Sequence, residues 1–290
     1  MEFPYLSIFI SLNLVLVATH AYPCELYWNF KLPTTQMPKA IKNLLHPAGG
    51  GNGKVNDDIG AEVSETKLHD NQNVGLFFLE KDLHHGTKMN MQFKKNSNYG
   101  KTFLPQEVAI SIPFSSNNVE NILNMFSIKQ GSKESEIVKN TISICEEHGM
   151  DGDEKPCVTS LESMVDFATS KLGNNVEAVS NEVEKESSEL QEYVITKGVK
   201  KLGEDNKVVV CHKVNYAYAV FYCHKIDGTI VYIVPLEGVD GSIDKVVAVC
   251  HNDTSQWNPK HISFQVLNVQ PGIGPICHFV TQDHVVWVSK

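Results

Sequence analysis

The stretch that decides the fold runs from Lys207 to Phe279 and repeats one dipeptide four times. It reads KVVVCHKV from Lys207, AVFYCHKI from Ala219, KVVAVCHN from Lys245 and PICHF from Pro275. Gaps of ten, twenty-five and twenty-five residues separate the successive Cys-His pairs. Valine and aromatic residues precede three of the pairs, and such residues favour β-strands. The repeat therefore places Cys-His pairs within strands or at their ends.

Adjacent side chains of a strand point to opposite faces, which separates each thiol from its neighbouring imidazole. If the strands align, four thiols collect on one face of a sheet and four imidazoles on the other. This arrangement predicts two disulfides on the core face and a four-histidine cluster on the opposite face. The cysteines concerned are Cys211, Cys223, Cys250 and Cys277. The histidines are His212, His224, His251 and His278.

Imidazole clusters suit copper or zinc, so the four histidines are candidate metal ligands. Two alternatives remain open at this point. The cysteines and histidines could bind zinc together, although their spacing resembles no zinc-finger pattern. The histidines could also have a purely structural role, in which they only form hydrogen bonds within the fold.

The N-terminus predicts entry into the secretory pathway. Residues 6–17 are almost wholly apolar and are followed by the small-residue ending Thr19-His20-Ala21, which is typical of a signal peptide covering residues 1–21. About a dozen apolar residues are too few to span a bilayer, and no later segment is long enough. The sequence therefore predicts a soluble mature chain with no membrane span, in a compartment where paired thiols form disulfides.

The chain contains seven cysteines, so at least one of them lacks an intramolecular partner. Cys145 and Cys157 flank an eleven-residue polar segment and predict a third disulfide. Cys24 is then the cysteine left over. Asn252 begins the sequence Asn-Asp-Thr, which makes it a candidate glycosylation site.

Composition argues against several classes of function. The formal net charge is −9, whereas nucleic acids and anionic membranes need partners with clustered lysine and arginine. The glycine-rich run from Gly49 to Lys54 lacks the spacing and the Ser or Thr of a phosphate-binding loop. No Ser-His-Asp or paired-carboxylate arrangement stands out either. Because of the acidic net charge, we expect no nucleic-acid partner.

The remaining pattern divides the chain into helical and β-rich parts. Residues 48–75 are polar, contain no aromatic residue and predict a disordered linker. A capping box of Thr159 and Glu162 predicts a helix that ends at Gly173. From Tyr193 onward the sequence is β-rich. We predict an α+β fold, with a helical first half leading into a largely antiparallel, disulfide-stapled second half.

The repeat and several further motifs resemble the plant BURP-domain family. The other matching motifs include Phe103-Leu104-Pro105, Thr159–Met164, Asn215–Val220, Asp253-Thr254-Ser255 and Trp257-Asn258-Pro259. The resemblance implies four parts: a signal peptide (1–21), a short N-terminal family-type segment (22–47), a linker (48–75) and a BURP domain (76–290).

For function, the resemblance implies a role in seed or pollen development or in stress response, without catalysis or with an activity not yet defined. The destination would be the extracellular space, the cell wall or a storage vacuole, and the partner a cell-wall polysaccharide or protein.

The alternative that the resemblance implies is a copper-dependent peptide cyclase, in which His212, His224, His251 and His278 hold the copper. Its substrate would be a small peptide carrying Tyr or Trp, often a segment of the enzyme itself. In this chain Tyr22, Tyr27 and Trp28 are the only candidates for such self-modification, which disfavours an autocatalytic product. The neighbouring His84 and His85 could add ligands.

Overall fold

The computed structural model describes residues 23–46, 77–93, 101–146, 155–184, 189–204 and 207–290. The predicted signal peptide and linker lie outside these residues. The helices are α1 (Pro23–Lys31), α2 (Lys39–Leu45), α3 (Gln106–Ser111), α4 (Val119–Met125), α5 (Lys133–Glu146), α6 (Leu161–Leu172) and α7 (Ile262–Leu267). The first six precede most of the strands, so the predicted α+β order is confirmed.

The strands form two antiparallel sheets. They are β1 (Phe77–Leu79), β2 (Lys88–Met91), β3 (Cys157–Val158), β4 (Val176–Val179), β5 (Gln191–Ile195), β6 (Lys200–Leu202), β7 (Lys207–Val214), β8 (Val220–Asp227), β9 (Thr229–Gly238), β10 (Ile243–His251), β11 (Ile276–Phe279) and β12 (Val285–Ser289). We call β1-β11-β10-β9-β5-β2, with β6 also paired to β9, the curled sheet, and β3-β8-β7-β12-β4 the covered sheet.

The curled sheet owes its shape to its connectivity. Strands β1 and β2 lie at the two ends of its order, yet only residues 80–87 join them along the chain. The sheet must therefore bend until its ends approach, as strands do in a barrel. Its concave side holds a core to which β1, β2, β5, β9, β10 and β11 all contribute.

The covered sheet is named for the helices that pack on its outer face. Helices α1, α2 and α6 contribute apolar side chains to a core that they share with this sheet. The Trp28 ring is buried with its centroid 5.4 Å from that of Trp287 on β12, and Trp28 Nε1 donates to the Thr35 carbonyl oxygen. Residues 23–46 thus contribute to the domain core, although residues 47–76 separate them from β1 along the chain.

Helix α6 begins one residue later than the sequence predicts. Ser160, in an extended conformation, accepts from the Ser163 backbone N–H, and the Ser163 hydroxyl accepts from the Ser160 backbone N–H. The predicted capping box of Thr159 and Glu162 is therefore wrong, because Glu162 is buried in the helix instead of folding back. The predicted end at Gly173 is confirmed, since this residue has a φ of 82°.

The two sheets pack face to face through a layer of valines. Val208 and Val210 of β7 point into this layer, as do Val247 and Val249 of β10, whereas Val209 points to the helices. Alternation along each strand thus produces an inner and an outer face. Among the described residues, no helix is long and apolar enough to cross a membrane.

The four strands of the Cys-His repeat do not align in one sheet, because the repeat is divided between the two sheets. Cys211 and Cys223 face the helix-covered core, and Cys250 and Cys277 face the interior of the curled sheet. The four thiols therefore do not share one face. The separation of each thiol from its neighbouring imidazole still follows from strand alternation.

Candidate metal centre

Each disulfide of the repeat joins residues directly opposite one another on neighbouring antiparallel strands. Cys211 bonds to Cys223 across β7 and β8, and Cys250 bonds to Cys277 across β10 and β11. A third disulfide joins α5 to β3 through Cys145 and Cys157. Cys24 is a buried free thiol. The disulfides remove the thiols of the repeat from any set of metal ligands, which leaves the imidazoles.

Two pairs of stacked imidazoles occupy the inner faces of the sheets. The His212 and His224 rings on the covered sheet are 13° from parallel, and their Nε2 atoms lie 3.0 Å apart. The His251 and His278 rings on the curled sheet are 21° from parallel, with their Nε2 atoms 3.4 Å apart. The structure therefore repeats one local arrangement on both sheets.

Both pairs line a single cavity of about 220 Å³ between the sheets. Its remaining wall is largely apolar and includes Val210, Ile226, Val249 and Val280. No Asp, Glu or Lys side chain lines it among the described residues. The imidazoles are thus the principal polar groups facing this space.

The cavity favours the neutral form of His212 and His251. Burial lowers the pKa of His212 to about 4, and repulsion by His224 and His278 adds to the effect. Burial likewise lowers the pKa of His251 to about 4, with contributions from His278 and His224. Because His212 responds to His278 and His251 responds to His224, the two pairs are electrostatically coupled across the cavity. Neutral imidazole is also the form that binds metals.

The outer nitrogens of three rings have partners outside the repeat. His278 Nδ1 donates to the Phe279 carbonyl oxygen at 3.2 Å, which leaves the lone pair on Nε2. His251 Nδ1 lies 3.4 Å from the Thr229 hydroxyl, and His212 Nδ1 lies 3.0 Å from His284 Nδ1. The Nε2 atoms are therefore the ones that meet within each pair.

His284 is a fifth cavity histidine that the sequence reasoning missed. It immediately precedes β12, where Val286 and Val288 point to the inner face, so its position has the same parity. The alternation of His284, Val286 and Val288 could have indicated this position from sequence. The prediction was based on the Cys-His repeat, however, and His284 lies outside it. The proposed extra ligands His84 and His85 are not among the residues that line the cavity; His85 Nδ1 instead lies near the Ile195 carbonyl oxygen.

The imidazole nitrogens of the cavity are of a type that binds transition-metal ions. Several neutral imidazoles in an apolar cavity suit copper, zinc or nickel. Among the described residues, no three His, Cys, Asp or Glu side chains are already arranged around one ion position. The rings of each pair would therefore have to rotate out of their mutual contact to direct four Nε2 atoms at one ion.

Comparison with known proteins identifies the family to which this sequence belongs. Residues 76–289 match the family model of the BURP domain. The chain belongs to the BURP-domain family. It is 54% identical over 231 residues to the BURP domain protein RD22 of Arabidopsis thaliana, a match that covers 78% of this chain and 59% of the relative.

Two rice relatives extend the comparison. BURP domain-containing protein 3 is 51% identical over 232 residues, covering 79% of this chain and 54% of the relative. BURP domain-containing protein 5 is 39% identical over 283 residues, covering 92% of this chain and 87% of the relative. The chain thus spans little more than half the length of RD22 and of the first rice protein.

The structure also shows the surroundings of the Asn252 sequon and of Tyr27 and Trp28, the aromatic residues considered for self-modification. Asn252 directly follows His251 and is partly exposed, while Thr254 of the same sequon is buried and accepts from the Gly272 N–H. Glycosylation at Asn252 stays a prediction. Trp28 lies in the helix-covered core, and the Tyr27 hydroxyl donates to Asp166, so both side chains are on the opposite side of the covered sheet from the cavity.

Proposed function

We propose that this BURP-domain protein is a secreted or vacuolar copper-binding protein that acts in development or stress response. The ion would be held by the Nε2 atoms of His212, His224, His251 and His278. One observation carries the proposal: two stacked imidazole pairs from facing sheets meet in one apolar cavity. Copper would supply one-electron redox chemistry there when bound.

The chain's own residues explain how such a site would be maintained. Each cross-strand disulfide ties together the two strands that carry a histidine pair, so the spacing of that pair is fixed covalently. The valines of the inter-sheet layer give the cavity a largely apolar wall, and burial lowers the pKa of His212, His251 and His278. Imidazoles on strands that are already joined by disulfides need little reorganisation of the backbone to bind an ion.

The location proposed for the protein rests on its disulfides. Three disulfides are typical of proteins that fold in an oxidising compartment, which supports entry into the secretory pathway. The cell wall and the storage vacuole are the proposed destinations, with a cell-wall polysaccharide or protein as partner. Microscopy of a C-terminally tagged chain, with and without residues 1–21, tests this part.

The copper site is tested by titrating the oxidised, secreted protein with Cu(II) and recording metal content and electron paramagnetic resonance. We expect one Cu(II) per chain with a nitrogen-rich spectrum. His224→Ala should lower the affinity at least roughly 100-fold, about 2.7 kcal/mol. The control is His84→Ala, because His84 is exposed and is not among the cavity residues. No stoichiometric binding, or an equal loss in the control, would contradict the proposal.

Peptide cyclisation is the second candidate function, and it must be distinguished from copper binding without catalysis. Trp28 is buried and Tyr27 lies on the far side of the covered sheet, so we propose a separate peptide as the substrate; the third candidate, Tyr22, lies outside the described residues. Tyr- or Trp-containing peptides incubated with the copper-loaded protein and oxygen would lose two hydrogen atoms per crosslink, with oxygen as the oxidant. Unchanged peptide masses alongside tight copper binding would leave the binding function alone standing.

A further inference from the structure

His284 stands opposite His212 on the covered sheet. Strand β12 pairs with β7 in an antiparallel register that aligns Val285 with Cys211. His284, the residue before β12, therefore lies across from His212, the residue after Cys211. Both side chains point to the inner face and line the same cavity. The contact between them is thus set by the backbone ladder.

The geometry of this contact differs from the stacking within the two pairs. The His284 and His212 rings are 88° apart with centroids 4.5 Å apart, and their Nδ1 atoms are separated by 3.0 Å. The other nitrogen of His212 lies 3.0 Å from His224 Nε2. His212 therefore has a nitrogen partner at each end of its ring.

A neutral imidazole carries its proton on only one nitrogen, so the two contacts of His212 are coupled. If Nδ1–H of His212 donates to His284, its Nε2 lone pair faces the cavity. His278 has the same tautomer: its Nδ1 carries the proton and donates to the Phe279 carbonyl oxygen, so the lone pair is on Nε2.

We propose that His284 is a positioning residue for His212: its Nδ1 accepts the His212 Nδ1–H and holds that ring in the tautomer whose Nε2 can bind a metal. His284 then carries its own proton on Nε2 and has no lone pair left for the ion. The part of this inference that concerns copper rests on the proposed function, whereas the tautomer itself does not.

Two substitutions at position 284 separate hydrogen bonding from packing. His284→Leu removes the acceptor and keeps an apolar side chain of comparable size. His284→Asn places an amide oxygen close to where Nδ1 stood, so it can accept the same hydrogen bond. His84→Leu is the control for a histidine that does not line the cavity. Near-ultraviolet circular dichroism checks that each variant keeps its tertiary packing.

The first measurement uses metal-free protein labelled with ¹⁵N-histidine, in which imidazole nitrogen shifts report the tautomer. We expect His212 to be the Nδ1–H tautomer in the unsubstituted protein and in His284→Asn, and to change in His284→Leu. An Nε2–H tautomer in the unsubstituted protein, or no change in His284→Leu, overturns the proposal. If His284→Leu does not fold, the tautomer in the unsubstituted protein and in His284→Asn still decides it.

The second measurement is Cu(II) binding to the same variants. Loss of an outer-shell partner costs roughly 10- to 100-fold in metal affinity, so His284→Leu should show a loss of that size with the number of coupled nitrogens unchanged. His284→Asn should stay within about threefold of the unsubstituted protein. A lost nitrogen coupling would make His284 a ligand, and an unaltered affinity would remove its role; either result overturns the proposal.

The two measurements also separate this inference from the proposed function. If the unsubstituted protein binds no copper, the proposed function fails, while the nitrogen shifts still establish or refute the His212–His284 hydrogen bond. If copper binds but the shifts give the wrong tautomer, only the role of His284 fails.

Discussion

The molecule contains the same Cys-His unit twice, once on each sheet, and the two copies have different surroundings. In the first unit, β7 and β8 carry one disulfide and the His212–His224 pair. In the second, β10 and β11 carry the other disulfide and the His251–His278 pair. Both disulfides are fully buried, and both ring pairs are nearly parallel. The local arrangement is thus independent of the core that lies behind it.

The support around the two units differs. His284 contacts the first histidine pair, and helices cover the first disulfide. Each pair has an aromatic neighbour, with Tyr222 5.9 Å from His224 and Phe77 6.2 Å from His278 between ring centroids. The second pair also has a closer one, because the Trp257 ring centroid is 5.1 Å from His251. Its disulfide lies inside the curled sheet. The comparison teaches that strand pairing creates the unit, whereas the tertiary fold decides how each unit is held.

The largest expected effect tests how far the first unit depends on the N-terminal helices. Trp28→Ala should lower the free energy of unfolding by about 3–5 kcal/mol, because it empties a large space behind the covered sheet. Urea unfolding measures this change. Phe30→Ala is the matched control on the same helix; its side chain is 81% exposed, and we expect a change below about 0.5 kcal/mol. A loss in Trp28→Ala as small as that in Phe30→Ala would show that the Trp28 side chain does not stabilise this core.

The disulfides provide the next comparison, with a control supplied by the chain itself. The Cys145–Cys157 and Cys211–Cys223 bonds span the same sequence separation of 12 residues. Replacing either pair by alanines should therefore cost about 3 kcal/mol through the unfolded chain. Only the second replacement frees strands that carry histidines, so only it should weaken Cu(II) binding. Equal copper affinity in the two variants would show that the disulfide does not position the imidazoles.

Removing one histidine pair at a time tests whether the two units share one ion. If they do, His212→Ala with His224→Ala and His251→Ala with His278→Ala should each lower Cu(II) affinity by at least roughly 100-fold, about 2.7 kcal/mol. Isothermal titration calorimetry gives both affinity and stoichiometry. Two ions per unsubstituted chain, with one remaining in each double variant, would mean that the units bind metal independently.

Much of this arrangement could be predicted because strand alternation is a local property. The opposite orientation of Cys211 and His212 follows from their adjacency in a β-rich run, whatever the rest of the fold. The division of the repeat between two sheets could not be predicted in the same way, since it depends on which strands pair across long stretches of sequence. Trp287 on β12 is the contact that gives Trp28 its structural role, and the two residues are far apart along the chain.

The histidine cavity shows the same limit. His284 belongs to no repeat, and its relevance appears only when the register of β12 against β7 is known. The α6 cap depends on a one-residue difference, because Ser160 and Thr159 are both acceptable capping residues in sequence. Sequence periodicity thus predicted the kinds of groups at the site, whereas the neighbours of each group required the fold.

The smallest expected effect concerns the aromatic support of the second unit. Trp257 is next to His251, whereas Trp28 and Trp287 pack together on the far side of the covered sheet. Cu(II) in the cavity should therefore quench the emission of Trp257 most strongly. Trp257→Phe keeps an aromatic edge against His251, so it should abolish most of the quenching while changing affinity by less than about threefold, roughly 0.6 kcal/mol.

Fluorescence titration distinguishes this effect from a general loss of structure. Trp28→Phe should keep the copper-dependent quenching, because its indole is remote from the cavity. Zn(II), which has a filled d shell, should bind without quenching the indole emission. Quenching that persists in Trp257→Phe would place the ion away from His251, and the second unit would then no longer be equivalent to the first in holding it.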